Sequence, residues 1–182
     1  MPSTQGRAQN DAGFTLVEVL VAGVLVTTGL LALASALSMG FAVVLTAQDD
    51  TIARQKAREA LESVLTGRNT QNITFAQIDN VGTGSGIFVN GFQPLYRAGA
   101  DGIIGTADDA AAGIETIILP GPDGILGTAD DITQTLGNYQ RSIVISDLTG
   151  TLKQITVTVQ YTTPPNLTRS VIATSYVSPY IN

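Results

Sequence analysis

Between Val19 and Gln48 the chain carries no charged residue, a run of 30 positions dominated by Val, Leu, Ala and Gly. A bilayer is crossed by roughly 20 apolar residues rising ~1.5 Å each. The run therefore predicts a helix that spans a membrane or is buried among other helices. The rhythm continues past the apolar part. From Asp49 to Leu65, Ala53, Ala57, Ala60, Leu61 and Val64 recur at three- and four-residue steps, the spacing of one buried helical face. Arg58 and Glu62 stand four apart on the other face, Gly67 is placed to stop the helix, and Arg68-Asn69-Thr70 follows as loop. A helix from Phe14 to about Thr66 would measure about 80 Å, too long for a compact globule. Its first half must lie in lipid or against other subunits. Gly23, Gly29 and Gly40 mark points of close packing or local melting within it.

Composition removes whole classes of function. Among 182 residues there is no Cys and no His, so disulfides, thiolate nucleophiles, a His general base and a zinc site of the usual N/S kind are out of reach. Any resident metal must be a hard cation held by oxygen. Lys+Arg number 9 against 15 Asp+Glu, a net charge of -6, which argues against a nucleic-acid partner. No catalytic constellation emerges, since the only lysines are Lys56 and Lys153 and no Ser has a visible base partner. The chain reads as no enzyme.

The segment ahead of the apolar run is short and polar, with Arg7 and Asp11 its only charged side chains. A secretory signal is cut after its apolar stretch. Here the small residue, Gly13, comes before it, so cleavage there would retain the helix. The junction reads Gly13-Phe14-Thr15-Leu16-Val17-Glu18, followed by the uncharged helix. This pattern, over roughly Gly13 to Leu37, resembles the N-terminus of type IV prepilins and type II secretion pseudopilins, within which the run EVLVAGVLVTTGLLALASAL is most similar to PilV-like and minor pseudopilin I-like subunits. The resemblance implies a prepilin peptidase that cuts Gly13–Phe14 and methylates Phe14. It further implies that Glu18 pairs with the Phe14 ammonium of its own or a neighbouring subunit during filament assembly. By residue type alone Glu18 has a second role, complementing the dipole of its own helix and snorkelling to headgroups.

Beyond Gln71 the composition shifts to Gly, Thr, Asp and Asn, and alternation replaces helical spacing. Ile155, Val157, Val159 and Tyr161 share one face of a strand from Lys153 to Tyr161. A turn at Asp147–Gly150 joins it to Gln140–Ser146, and Pro164-Pro165-Asn166 separates it from Arg169–Val177, predicting a three-stranded meander. Ile87–Val89 and Ile114–Leu119 are candidate edge strands.

The chain also carries an internal repeat. Asp101-Gly-Ile-Ile-Gly-Thr-Ala-Asp-Asp109 recurs twenty-two residues later as Asp123-Gly-Ile-Leu-Gly-Thr-Ala-Asp-Asp131, with eight of nine positions identical. The two copies hold Asp101, Asp108, Asp109, Asp123, Asp130 and Asp131 and no basic residue. Carboxylates and exposed carbonyls at a Gly-made turn are what Ca²⁺ requires, six to eight oxygens at ~2.3–2.6 Å. The EF-hand spacing is absent, but the stretch is similar to the calcium loop of major type II pseudopilins. Gly and Asp also favour turns without any ion.

The expected fold class is α+β, a long protruding N-terminal helix packed against a small antiparallel β head. The expected organisation is a leader over 1–13, a membrane or filament-core helix over 14–48 and its amphipathic continuation over 49–67. A β-rich head over 68–182 follows, with the Asp/Gly loops at 99–109 and 121–131. The resemblance implies a filament subunit that waits in the inner membrane with its head in the periplasm. It then joins other pilin or pseudopilin subunits in an extracellular pilus or a periplasmic pseudopilus. The alternative, from another class, is a single-pass membrane-anchored module that grips a partner through calcium and never polymerises.

Overall fold

The computed structural model describes residues 13–163 and 166–180. Apart from Gly13, the expected leader lies outside the described residues, as does the Pro164-Pro165 break. The fold is α+β: one long N-terminal helix, a four-stranded antiparallel sheet and a separate two-stranded sheet. The chain divides into two compact units, one ending at Leu45 and the other beginning at Thr46.

Helix α1 runs Leu16–Asn69. In the first unit its apolar side chains are exposed throughout, and it is long and apolar enough to cross a membrane. The hydroxyls of Thr27 and Thr28 donate back to the carbonyls of Gly23 and Val24, both at 2.9 Å, so these polar groups need no outside partner. A Cβ placed on Gly23, Gly29 or Gly40 would meet open space, so none of the three is a packing point within the single chain.

In the second unit α1 buries one face. Ala53, Ala57, Ala60 and Val64 are fully covered, at the three- and four-residue steps that keep them on one stripe. Small side chains let the helix axis approach its neighbours closely. The helix does not end at Gly67 as the sequence suggests. It continues to Asn69, and the left-handed residue after it is Gln71, at φ 61°. Gly67 is small for packing instead, because a Cβ there would collide with Cδ1 of Ile103.

The main sheet has the order β1 (Gln93–Pro94), β4 (Tyr139–Thr149), β5 (Leu152–Thr163), β6 (Leu167–Val177). The last three strands are the expected meander. The turn joining β4 and β5 sits later than expected, at Gly150-Thr151, because a register shift between Asp147 and Thr149 lets β4 continue pairing. Ile155, Val157, Val159 and Tyr161 lie in the core shared with α1, Tyr139 and Ile143. Lys153 falls on the same inward face. Its ammonium donates to the Ile78 carbonyl at 2.9 Å, pairs with Asp79 at 3.2 Å and lies 5.0 Å from the Phe75 ring centre.

The two expected edge strands come out differently. Phe88 makes only an isolated bridge to Asn80, and the edge position beside β4 goes to β1. Farther along that edge the Asn80 side chain stands in for a strand residue, donating to Ile143 O at 2.8 Å and accepting from Ile145 N at 2.9 Å. The stretch Ile114–Leu119 contributes β2 (Thr116–Leu119), which pairs with β3 (Ile132–Thr135) in the second sheet and not with the meander.

Candidate functional site

The N-terminal junction is built by local chemistry. Gly13 and Phe14 precede the helix in non-helical chain, and Phe14 is 86% exposed, so the Gly13–Phe14 bond lies in exposed chain. Thr15 and Glu18 then form a reciprocal cap. The Thr15 hydroxyl accepts from Glu18 N at 3.3 Å, and a Glu18 carboxylate oxygen accepts from Thr15 N at 3.3 Å. This is the capping box, in which residues three apart satisfy each other's orphan donors. Glu18 therefore has a partner inside its own helix.

At the far end of the uncharged run Asp49 and Asp50 meet the sheet. Tyr139 donates to Asp49 at 2.7 Å and Tyr161 to Asp50 at 3.4 Å, with the two rings stacked 5.6 Å apart. Burial, reinforced by the Asp49 carboxylate, pushes the Tyr139 hydroxyl far above its ordinary value. Sequence reasoning missed this clasp. The only signal was that Asp49-Asp50 ends the uncharged stretch.

The repeated loops share one internal scaffold. In the first, Asp101 accepts from Ile103 N at 2.8 Å, Asp108 from Asp101 N at 3.2 Å and from the Thr106 hydroxyl at 2.6 Å, and Asp109 from Gly105 N at 2.6 Å. In the second, Asp123 accepts from Ile125 N at 2.8 Å, Asp130 from Asp123 N at 3.3 Å and from the Thr128 hydroxyl at 2.6 Å, and Asp131 from Gly127 N at 2.7 Å. Glycines in the left-handed region shape both, at φ 71° and 99° for Gly102 and Gly105 and at 71° and 91° for Gly124 and Gly127. The Thr106 and Thr128 hydroxyls, followed by backbone donors, hold Asp108 and Asp130 below the ordinary aspartate value.

Placement separates the copies. Ile103 and Ile104 are 3% and 5% exposed, whereas Ile125 and Leu126 are 60% and 61% exposed. Asp109 is buried, and that burial raises its carboxyl despite donors from Gly105 and Gly99. Arg141, whose charge acts on Asp109 through space, belongs to a charge network that joins α1 to β4. Glu115 pairs with Lys56 of α1 and with Arg141 of β4 at 3.4 Å, and Arg141 also donates to Tyr96 O at 3.0 Å. Burial opposes the Lys56 charge, but hydrogen bonds to Glu115 and Glu59 outweigh it and hold that ammonium above its ordinary value.

Oxygen donors gather in the first loop. Carboxylate oxygens of Asp101, Asp108 and Asp109 lie within 4.8 Å of one another. In the second loop Asp131 Oδ1 is shielded from solvent and has no hydrogen-bond partner among the described residues; its counterpart, Asp109 Oδ1, accepts from Gly99 N at 2.8 Å. The donor set is all oxygen, which suits a hard cation and no other metal class.

No family model, curated protein or solved structure matches the chain.

Proposed function

We propose that the chain is a structural subunit of a type IV pilus or type II secretion pseudopilus, trimmed after Gly13 and assembled through α1. The observation that carries this reading is the junction itself. Gly13-Phe14-Thr15 stands in exposed chain immediately before an apolar helix that opens with Leu16-Val17-Glu18 and leaves its first thirty residues exposed. Such a surface requires lipid before assembly and other helices after it. The proposed partners are a prepilin peptidase, the inner membrane and other pilin-like subunits. The proposed role is assembly and not catalysis.

Calcium belongs to the same proposal. Asp101, Asp108 and Asp109 would hold one ion and Asp123, Asp130 and Asp131 another. Bound there, the ion supplies positive charge that offsets clustered carboxylates and stiffens the turns. The unpartnered Asp131 Oδ1 supports the second site, since a shielded acceptor without a donor is costly.

A second reading, a single-pass anchored module that binds partners through calcium without polymerising, is favoured by the capping box. That box gives Glu18 a purpose inside one chain. Two substitutions separate the two roles of Glu18, while a wild-type chain that never enters filaments would favour this second reading. Glu18→Gln keeps a residue that completes a capping box but removes the charge needed to pair with a Phe14 ammonium. Glu18→Ala removes both. Filament incorporation lost in both variants, with membrane insertion intact, supports assembly through the charge. Incorporation retained by Glu18→Gln and lost only in Glu18→Ala would assign Glu18 to capping.

A further inference from the structure

The duplicated loop shows what one of its copies binds. In the first loop the apolar pair Ile103-Ile104 docks on a notch of α1 made by Ser63 and Gly67. Ile104 N donates to Ser63 Oγ at 3.0 Å, and that hydroxyl in turn donates to Gly102 O at 3.4 Å. Ile103 occupies the space where Gly67 lacks a side chain. Ser63 and Gly67 are four residues apart, so they lie one above the other on a single helix face. The notch thus consists of a hydroxyl that serves as both acceptor and donor, beside a missing Cβ.

The second loop repeats the same turn, held by the same internal bonds except the one that Gly99 N gives to Asp109 Oδ1, and it takes up that shape with its apolar pair exposed. Its conformation is intrinsic, and its apolar pair, Ile125-Leu126, projects outward preformed. Leu126 N and Gly124 O, the counterparts of the two atoms that bond Ser63, have no protein partner among the described residues. Two exposed apolar side chains on a rigid turn lose little conformational freedom on being covered.

We propose that the second loop is a docking surface for a helix of another protein chain that presents a serine or threonine followed four residues later by glycine. The chain's own Ser63-Gly67 notch is filled by the first loop, which directs the second loop to a different chain. The inference stands on the internal duplication and is independent of filament assembly.

The probe is a synthetic, helix-stabilised, fluorescent peptide copying residues 54–73, which carries the Ser63-Gly67 notch. It is titrated with the full chain in detergent and followed by anisotropy. Saturable binding is expected, weakened about tenfold or more by Ile125→Ser with Leu126→Ser, because each apolar side chain contributes that order of affinity when covered. A peptide bearing Gly67→Val should lose binding comparably, and one bearing Ser63→Ala several-fold. Both loop substitutions are at exposed positions, so the variant's melting temperature should match wild type and confirm that it is folded. The proposal is overturned by absence of saturable binding to wild type. It is equally overturned if the doubly substituted chain or the Gly67→Val peptide binds unchanged, since binding would then come from displacement of the first loop or from nonspecific contact.

Discussion

The two Asp/Gly loops are nearly the same nine residues in two surroundings, and the difference between them separates local from tertiary determinants. Both copies fold to the same turn with the same carboxylate-to-backbone bonds inside the nine residues, so that shape is written in them. Burial is not. The first loop leads into the short helix α2 (Asp109–Ala112) beside Glu115, Lys56 and Arg141 and sinks Ile103-Ile104 into the core. The second spans the tip between β2 and β3 and keeps its apolar pair in solvent. One sequence therefore serves once as a core element and once as a surface.

Several substitutions made in parallel in the two copies sharpen this contrast in detergent-solubilised chain. The largest gap is expected at the apolar pair. Ile103→Ala should cost about 2–5 kcal/mol through lost burial and a cavity, and Ile125→Ala within about 0.5 kcal/mol because its side chain is already solvated. Equal costs in chemical denaturation would mean the second loop is buried after all.

Next comes calcium. Binding to the native loops alone stabilises by about 2.7 kcal/mol for each site at a hundredfold excess over Kd. Melting should rise with Ca²⁺, fall back with EGTA and respond poorly to Mg²⁺, which demands octahedral geometry at ~2.0–2.1 Å. Asp101→Ala with Asp109→Ala, and Asp123→Ala with Asp131→Ala, should each remove part of the rise. A melting curve that ignores all three additions would leave the carboxylates as internal staples of the turns.

Glycine at the left-handed corner gives a smaller gap. Gly105→Ala and Gly127→Ala share the backbone strain of a positive φ, but only at Gly105 does the new Cβ collide with a neighbour, Ile143. The first substitution should exceed the second by about 1–3 kcal/mol in denaturant midpoint experiments.

The smallest effect is in acid. Asp130 is held below the ordinary value of 3.8, so its charge stabilises the fold above that value, and the contribution is lost as pH falls through the folded value. Asp108 has the same sign. Asp109, raised by burial, has the opposite sign: its charge costs stability near neutrality, and the cost is relieved as pH falls through its folded value, above 3.8. Asp130→Asn should flatten the acid loss of melting temperature, and Asp109→Asn should steepen it. Identical curve shapes in the two variants would remove the assigned difference in burial.

What could be read beforehand follows the same division. The helix, its buried Ala53-Ala57-Ala60-Val64 stripe and the β4–β5–β6 meander were legible because periodicity reports which face is covered. The end of α1 was misread at Gly67, since glycine as a stop and glycine as a close-packing point look alike until Ile103 is placed. The pairing of Ile114–Leu119 was misread for a related reason: alternation marks a strand without naming its partner. Within the loops the paired aspartates drew notice, but the unequal burial of the two copies depends on the Ser63-Gly67 face of α1, far away in sequence, against which only the first loop packs. The Tyr139–Asp49 and Tyr161–Asp50 clasp was invisible for the same cause.

The assembly account turns on one covalent event at Gly13–Phe14. Mass spectrometry of the N-terminal peptide, taken from membranes and from sheared filaments of cells expressing the full chain with its peptidase, tests it most directly. The account predicts a mature chain beginning at N-methylated Phe14, with the Gly13→Val variant accumulating as uncut precursor. A mature chain that still begins at Met1, or Gly13→Val trimmed as efficiently as wild type, would contradict it.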